Sequence, residues 1–116
     1  MNKPFVIAEI GSNFDQSLAK AKKLINIAKK CGADAVKFQL FSGKILYPNN
    51  FKMQKIFKKV ELNINWTNQL KLYANKKKII LFFSSFDPLS LKYLIKKNFR
   101  FHKIASSEVV NFKLMK

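Results

Sequence analysis

Two segments decide the fold of this chain: residues 5–13 read FVIAEIGSN and residues 32–39 read GADAVKFQ. Each is a short apolar run that ends in polar residues, which is typical of a strand buried in a parallel sheet. A basic amphipathic stretch lies between them, so together they predict a strand–helix–strand unit. Because the carboxyl ends of parallel strands meet at one edge, we expect Glu9, Lys37 and Gln39 to share the rim where α/β enzymes bind their ligands.

The same alternation of strand and helix patterns continues along the whole sequence. Strands are predicted at residues 5–10, 35–39, 79–83 and 101–105, and helices at 17–30, at 51–60, around 66–74, from 88 onward and from 111 onward. Residues 40–50 contain Gly43, Pro48 and two asparagines, and they are predicted to form a long loop over the strand ends. About four βα units in one domain over residues 1–116 predict an α/β fold, the N-terminal half of a (β/α)8 TIM barrel, whose usual size is about 250 residues.

Helix boundaries can be predicted from the capping residues. Asp15 or Ser17 can cap the helix over residues 17–30, and Gly32 can end it. Asp87 and Pro88 are predicted to open the next helix, with Leu91, Leu94 and Ile95 facing inward. A half-barrel made of such units leaves two unpaired sheet edges and one uncovered face. We therefore expect either a truncated domain or a chain with an obligate partner.

The composition indicates a globular protein with a large apolar core. Of the 116 residues, 48% are apolar and 12 are Phe, and no apolar run reaches the about 20 residues that span a bilayer. No secretory signal is visible at the N-terminus. The single cysteine, Cys31, is predicted to be a small buried side chain, and it fits a reducing compartment. We therefore expect a cytoplasmic protein with no membrane partner.

The formal net charge of +17 raises the question of a nucleic-acid partner. The lysines occur in pairs and triplets at the ends or the predicted outer faces of helices, and Arg100 is the only arginine. Recognition of phosphates and bases favours arginine, so a solvated basic surface explains the charge better than a specific nucleic-acid site. A basic polyanion-binding protein is the less favoured alternative, and its binding would weaken smoothly with salt.

Polar side chains gather at the carboxyl ends of all four predicted strands. They are Glu9, Asn13, Lys37, Gln39, Ser84, Ser85, Lys103, Ser106, Ser107 and Glu108. Ammonium groups and hydroxyls together suit a phosphate or carboxylate ligand, and nearby carboxylates can transfer protons or bind sugar hydroxyls. The serines have a second interpretation as caps of the following helices. Taken together, these residues favour an enzyme with an anionic substrate.

Four motifs at these strand ends carry a resemblance to a known family. They are AEIGSN at residues 8–13, GADAVKFQ at 32–39, SSFD at 84–87 and KIASSE at 103–108, which Asn111 follows. In this order they resemble the sialic acid (N-acetylneuraminate) synthase family over the N-terminal third of a family member. Members of that family are transferases of carbohydrate biosynthesis. They condense phosphoenolpyruvate with an N-acetylated hexosamine to make a nonulosonic acid, and they release phosphate.

The resemblance implies a role for each matching residue. The residues that would bind the phosphate and carboxylate of phosphoenolpyruvate are Lys37, Ser84, Lys103 and Ser106. Gln39 would be an active-site amide close to that substrate, Glu9 would be a catalytic carboxylate that assists proton transfer, and Glu108 would contact the amino-sugar. The sequence departs from the family at Phe14, where the family has a histidine, and this change is expected to remove a polar group from the active site.

The resemblance also implies a divalent metal ion, Mn²⁺ or Mg²⁺, whose ligands lie on later strands outside this sequence. A C-terminal antifreeze-like domain is likewise expected outside it. His102 is expected to point away from the rim, because it alternates with residues that face the rim. The favoured function is an N-acetylneuraminate synthase-like enzyme whose barrel a second chain completes. The alternative is a truncated, inactive remnant of such an enzyme.

Overall fold

Four parallel strands, joined by helices, form a single sheet in the order β1-β2-β3-β4. The computed structural model describes residues 3–115. Its elements are β1 (Ile7–Gly11), α1 (Leu18–Lys30), β2 (Ala35–Leu40), α2 (Gly43–Leu46), α3 (Phe51–Lys58), α4 (Trp66–Lys76), β3 (Ile80–Ser85), α5 (Pro88–Lys96), β4 (His102–Ile104), a 3-10 helix (Ser106–Glu108) and α6 (Phe112–Met115). The predicted α/β class with parallel strands is confirmed. None of the helices in this part of the chain is long and apolar enough to cross a membrane.

The helices begin and end largely at the predicted signals. The Ser17 hydroxyl accepts a hydrogen bond from the backbone N–H of Lys20 and so caps α1. The chain turns after α1 at Gly32, whose φ of +89° favours glycine. The same left-handed turn follows α4 at Lys78 and α5 at Asn98, with φ of +58° and +64°. The three helices that lead directly into a strand, α1, α4 and α5, therefore end in the same way.

The segment over residues 40–50 differs from the prediction because it contains a helix. Gly43 begins α2, and its N–H donates a hydrogen bond to Glu61 Oε2 at 3.0 Å. A Cβ at residue 43 would lie only 2.9 Å from Cβ of Phe57, so only glycine lets α2 approach α3 this closely. The contacts that form α2 thus come from residues more than ten positions away, and the local turn signals did not reveal them.

One face of the sheet packs against the helices and forms the core. Side chains alternate between the two faces of a strand, and Val36, Phe38 and Phe83 on the helix-facing side are completely buried. They pack in one cluster with apolar residues of α1, α4 and α5, which include Ile25 and Leu94. Because these helices share one apolar cluster with the same face of the sheet, they all lie on one side of it.

Two predictions about side chains near helix ends are wrong. Ile95 was predicted to face inward but is 57% exposed. Leu94 takes the buried position, and since each helical step rotates the next side chain by about 100°, Ile95 points toward solvent. Cys31 is exposed rather than buried, since it is the residue that ends α1 on the outer surface.

The opposite face of the sheet is uncovered within residues 3–115. Ile7 of β1 is in register with Ala35 of β2, which is in register with Ile80 of β3. Ile7 and Ile80 are exposed, as is Phe101 just before β4. These apolar side chains lie beside a groove of about 380 Å³ on that face.

Candidate active site

Of the predicted rim residues, five lie on the uncovered face of the sheet, toward the carboxyl ends of the strands: Glu9, Lys37, Gln39, Ser84 and Lys103. Gln39, Ser84 and Lys103 are in register across β2, β3 and β4. Residues in register on parallel strands point to the same face, so an amide, a hydroxyl and an ammonium group stand side by side. Ser84 is buried and Lys103 is half-buried.

Glu9 and Lys37 form a second row on the same face, which lies closer to the amino-terminal ends of the strands. Their backbones are in register between β1 and β2, and Lys37 Nζ lies 2.5 Å from Glu9 Oε2. The Lys37 side chain is only 12% exposed, whereas that of Glu9 is 52% exposed. Because a buried ammonium group is costly without a partner, Glu9 stabilises the charge of Lys37 at the place where the strand would otherwise be apolar.

Gly11 brings the side chains of the two rows close together. The register of β1 shifts between Glu9 and Gly11, and Gly11 has a φ of +58°. A Cβ at this position would lie 3.5 Å from Glu9 Oε1 and 3.9 Å from Cδ of Gln39. Next to it, the Ser12 hydroxyl donates a hydrogen bond to Gln39 Oε1 at 3.2 Å. The turn after β1 therefore packs directly against the carboxylate and the amide of the rim.

The segment after β4 places Glu108 at the edge of the same region. Asn111 Nδ2 donates a hydrogen bond to Glu108 Oε2 at 2.9 Å, which orients the carboxylate. Ser106 begins the 3-10 helix, but its side chain falls outside the described part of the structure. The adjacent serines 84 and 85 have different surroundings, because Ser85 lies on the helix-facing side of β3.

A cleft of about 450 Å³ opens beside the rim and was not anticipated from the sequence. Its polar side is formed by Gln39, Ser107 and Glu108. Its other side consists of Phe41, Leu46, Tyr47, Phe57 and Phe86, and we call the whole space the aromatic cleft. The high Phe content was the only available sequence signal, because the rings converge through tertiary packing from the segments after β2 and α2, from α3 and from the loop after β3.

Phe14, where the family resemblance leads us to expect a histidine, lies in the core. Its side chain is completely buried, and its ring contacts Phe38 edge to face with 5.8 Å between ring centroids. The side chain of Phe14 therefore packs between the sheet and the helices and contributes no group to the rim. His102 is exposed, and its neighbour Lys103 is the residue in register with the rim.

The described residues do not form a metal centre by themselves. Within residues 3–115, no three His, Cys, Asp or Glu side chains come together in a way that could hold a metal ion. The expected Mn²⁺ or Mg²⁺ therefore has no set of ligands among these residues. The candidate site of this chain consists of the two rim rows and the aromatic cleft.

Comparisons with known proteins identify the family of this chain. Residues 24–116 match the NeuB family. The chain is 33% identical over 130 residues to N,N'-diacetyllegionaminic acid synthase of Campylobacter jejuni, covering 100% of this chain and 39% of that protein. It is 32% identical over 121 residues to human N-acetylneuraminate-9-phosphate synthase, covering 93% of this chain and 34% of that enzyme.

A solved structure shows the same fold. The crystal structure of N-acetylneuraminic acid (sialic acid) synthetase from Leptospira borgpetersenii, in complex with citrate, superposes with a TM-score of 0.91 at 31% identity. The match covers 98% of this chain and 40% of that chain. The chain spans little more than a third of the length of the curated relatives quoted above. Because the family model matches residues 24–116, which are most of the chain, the chain belongs to the NeuB family.

Proposed function

We propose that this chain forms the phosphoenolpyruvate-binding and sugar-binding part of a nonulosonic acid synthase. Such an enzyme joins phosphoenolpyruvate to an N-acetylated hexosamine through a new C–C bond and releases phosphate. Membership of the NeuB family supports the proposal. The two relatives named above are synthases whose products carry acetylated amino groups.

The observation that carries the proposal is the convergence of Lys37, Ser84 and Lys103 on one face of the sheet. Lys103 is in register with Ser84, and Ser84 with Gln39, two residues beyond Lys37 on β2. Phosphoenolpyruvate carries a phosphate and a carboxylate, and ammonium groups and hydroxyls are the side chains that bind such anions. Packing alone gives no reason for two lysines on this face.

Each rim residue then has a chemical role in the proposal. Lys37, Ser84, Lys103 and Ser106 bind the phosphate and carboxylate groups. An anion that approaches Lys37 competes with its ion pair to Glu9, and this competition releases the Glu9 carboxylate to accept a proton during the reaction and to return it afterwards. Gln39 donates a hydrogen bond beside the same substrate, and Glu108 accepts hydrogen bonds from sugar hydroxyls.

The proposed enzyme has a complete (β/α)8 barrel. Exposed Ile7, Ile80 and Phe101 lie on the sheet face that the helices leave uncovered, and the four-stranded sheet has unpaired edges at β1 and β4. We propose that further βα units, in the same polypeptide or in a second one, cover this face. The family resemblance implies that Mn²⁺ or Mg²⁺ polarises the sugar carbonyl. We assign the binding of this ion to no residue of this chain.

Calorimetric titration with phosphoenolpyruvate tests the anion site. We expect Lys37→Met and Lys103→Met each to weaken binding about tenfold, since each removes a charge-assisted hydrogen bond. The matched control is Lys92→Met, which removes the same charge from the exposed side of α5 and is expected to change the affinity less than twofold. Equal losses in all three variants, with binding that fades smoothly as salt increases, would instead support the polyanion-binding alternative.

A synthesis assay separates an active enzyme from an inactive remnant. The chain is combined with a second polypeptide that carries the later strands of a NeuB family member, together with phosphoenolpyruvate, N-acetylmannosamine and Mn²⁺. We expect formation of a nonulosonic acid and its loss with Lys103→Met. No product despite a stable complex of the two chains would contradict an active enzyme and favour the inactive remnant.

A further inference from the structure

The end of β1 contains a bulge that changes the direction of one side chain. Glu9 is in register with Lys37 of β2. Two residues later, Gly11 is in register with Phe38, although unbroken pairing would place it beside Gln39. One extra residue is thus accommodated in β1 at this point, where Gly11 takes a φ of +58°. Bulges of this kind are common next to functional sites, where they redirect a side chain.

Without the bulge, Ser12 would belong to the core face of the sheet. Side chains alternate along a strand, so unbroken pairing would place Ser12 opposite Leu40, which is almost completely buried. The one-residue shift brings Ser12 beside Gln39 instead. Ser12 is half-buried there, and its hydroxyl donates a hydrogen bond to Gln39 Oε1 at 3.2 Å. The bulge therefore turns this hydroxyl from the core face to the rim.

The hydrogen bond from Ser12 decides which end of the Gln39 amide faces which strand. A Cβ at Gly11 would lie 4.0 Å from Gln39 Oε1, so the amide oxygen is on the β1 side of Gln39. The amide nitrogen lies on the other side of the carbonyl carbon, and the neighbour of β2 on that side is β3. The nitrogen of Gln39 therefore faces Ser84, the β3 residue in register with Gln39.

The orientation of this amide determines what the rim offers to an anion. An amide nitrogen carries two N–H donors, whereas an amide oxygen only accepts hydrogen bonds. In the observed orientation, Gln39 adds N–H groups beside the Ser84 hydroxyl and the Lys103 ammonium group. In the reversed orientation, the amide oxygen would repel an anion and would accept the hydrogen bond of the Ser84 hydroxyl. While Ser12 donates to the amide oxygen, both neighbouring donors stay available for a ligand.

We propose that Ser12 is a positioning residue that holds the N–H groups of the Gln39 amide toward an anionic group of phosphoenolpyruvate. This inference rests on the proposed function. The turn that carries Ser12 is itself fixed, because the Asn13 N–H donates a hydrogen bond to the backbone oxygen of Ile10 at 3.0 Å. A hydroxyl on such a turn restricts the amide before the ligand arrives, so less conformational freedom is lost on binding.

Calorimetric titration of the full chain and its Ser12 variants with phosphoenolpyruvate tests the inference. We expect Ser12→Ala to weaken binding about fivefold, the equivalent of one hydrogen bond, and Ser12→Thr, which keeps the hydroxyl, to weaken it less than about twofold. In a chain that already carries Gln39→Met, Ser12→Ala should have no further effect, because the amide that Ser12 orients is gone. An equal loss of affinity with and without the Gln39 amide would overturn the inference.

Ser17→Ala is the matched control for a loss of stability. The Ser17 hydroxyl caps α1 by accepting a hydrogen bond from the Lys20 N–H, so its removal destabilises the fold at a distance from the rim. We expect phosphoenolpyruvate to bind this variant as tightly as it binds the unsubstituted chain. If Ser17→Ala weakened binding as much as Ser12→Ala, binding would depend on general stability, and the role of Ser12 would be overturned.

The orientation of the Gln39 amide can also be measured without a ligand. In nuclear Overhauser spectra of the full chain, we expect cross-peaks between the side-chain amide protons of Gln39 and the β protons of Ser84. In Ser12→Ala these cross-peaks should weaken and new ones to the α protons of Gly11 should appear, since the amide can then take both orientations. Cross-peaks to Gly11 alone in the unsubstituted chain would show the reversed amide and would overturn the inference.

Failure of this inference can be distinguished from failure of the proposed function. Phosphoenolpyruvate binding that depends on Lys37 and Lys103 but not on Ser12 overturns only the positioning role. Binding that is independent of both lysines, or no binding, overturns the anion site, and Ser12 then has no ligand for which to position the amide.

Discussion

The two faces of the sheet are built by the same strands and yet differ in almost every property. In β2, Val36, Phe38 and Leu40 point toward the helices and are almost completely buried. The alternate residues Lys37 and Gln39 point the other way and are half-buried. The difference shows that close packing determines the residues of one face, whereas ion pairs and hydrogen bonds determine the polar residues of the other.

Removal of a ring from the helix-facing side is expected to have the largest effect. Phe38 contacts Phe14 and Phe83 and is completely buried, so Phe38→Ala leaves a cavity and should lower the free energy of unfolding by about 4 kcal/mol. Urea denaturation followed by circular dichroism measures the loss. In the control Phe101→Ala, an exposed ring on the uncovered face is removed, and the change should stay within about 0.5 kcal/mol. Equal losses of stability in Phe38→Ala and Phe101→Ala would show that the two faces are packed alike.

A buried helix cap should have the next largest effect. Asp87 Oδ1 accepts a hydrogen bond from the Ser90 N–H at 2.8 Å, and its Oδ2 accepts one from the Ser90 hydroxyl at 2.8 Å. Asp87→Ala leaves both buried donors without this partner and should cost about 2 kcal/mol. The equivalent change at the exposed cap of α3, Asn50→Ala, should cost about 0.5–1 kcal/mol. Thermal unfolding of both variants measures the difference in stability. A larger loss of stability for Asn50→Ala than for Asp87→Ala would contradict the prediction.

Substitution of Gly11 is expected to affect both the stability of the fold and ligand binding at the rim. Gly11→Ala forces an alanine into a φ of +58° directly beside the Glu9 carboxylate, so the free energy of unfolding should fall by about 1 kcal/mol. Relaxation of this strained backbone should displace Glu9 and weaken phosphoenolpyruvate binding. Gly32→Ala imposes a similar backbone penalty, but no atom lies within 4 Å of the new Cβ, so binding should stay unchanged. Calorimetric titration with phosphoenolpyruvate compares Gly11→Ala with Gly32→Ala. Weakened binding in both variants would mean that the effect is not local to the rim.

The smallest change in stability is expected at the rim itself. Lys37→Met replaces a largely buried ammonium group by an apolar side chain of similar length, and Glu9 keeps its access to water. Replacement of such a pair by apolar groups is often neutral, so the free energy of unfolding should change by less than about 0.5 kcal/mol while phosphoenolpyruvate binding falls. A loss above about 2 kcal/mol would show that Lys37 serves the fold rather than a ligand.

Much of the fold was predictable because its signals are local. Apolar runs located the four strands, Ser17 and Asp87 marked helix starts, and Gly32 marked a helix end. The positions of the rim residues then followed from parallel pairing and the alternation of side chains along a strand. Their roles toward a substrate stay predictions, because they depend on a ligand rather than on the fold.

The features that were missed depend on contacts between distant parts of the chain. The helix α2 forms because Gly43 packs against Phe57 and donates to Glu61. Phe14 lies in the core because the turn after β1 folds back over Phe38. The aromatic cleft likewise needs rings from several different segments. No pattern within ten residues carries this information, so it could be obtained only from the three-dimensional structure.

The strand order β1-β2-β3-β4 is also the order in which the ribosome makes the strands. Each strand pairs with the one synthesised just before it, so the chain never has to wait for a distant segment before it forms a pair. Synthesis proceeds at about 5–20 residues per second, while a helix forms within about a microsecond. Each strand–helix unit therefore has time to settle against the previous one during translation, so we expect assembly to proceed from β1 toward β4.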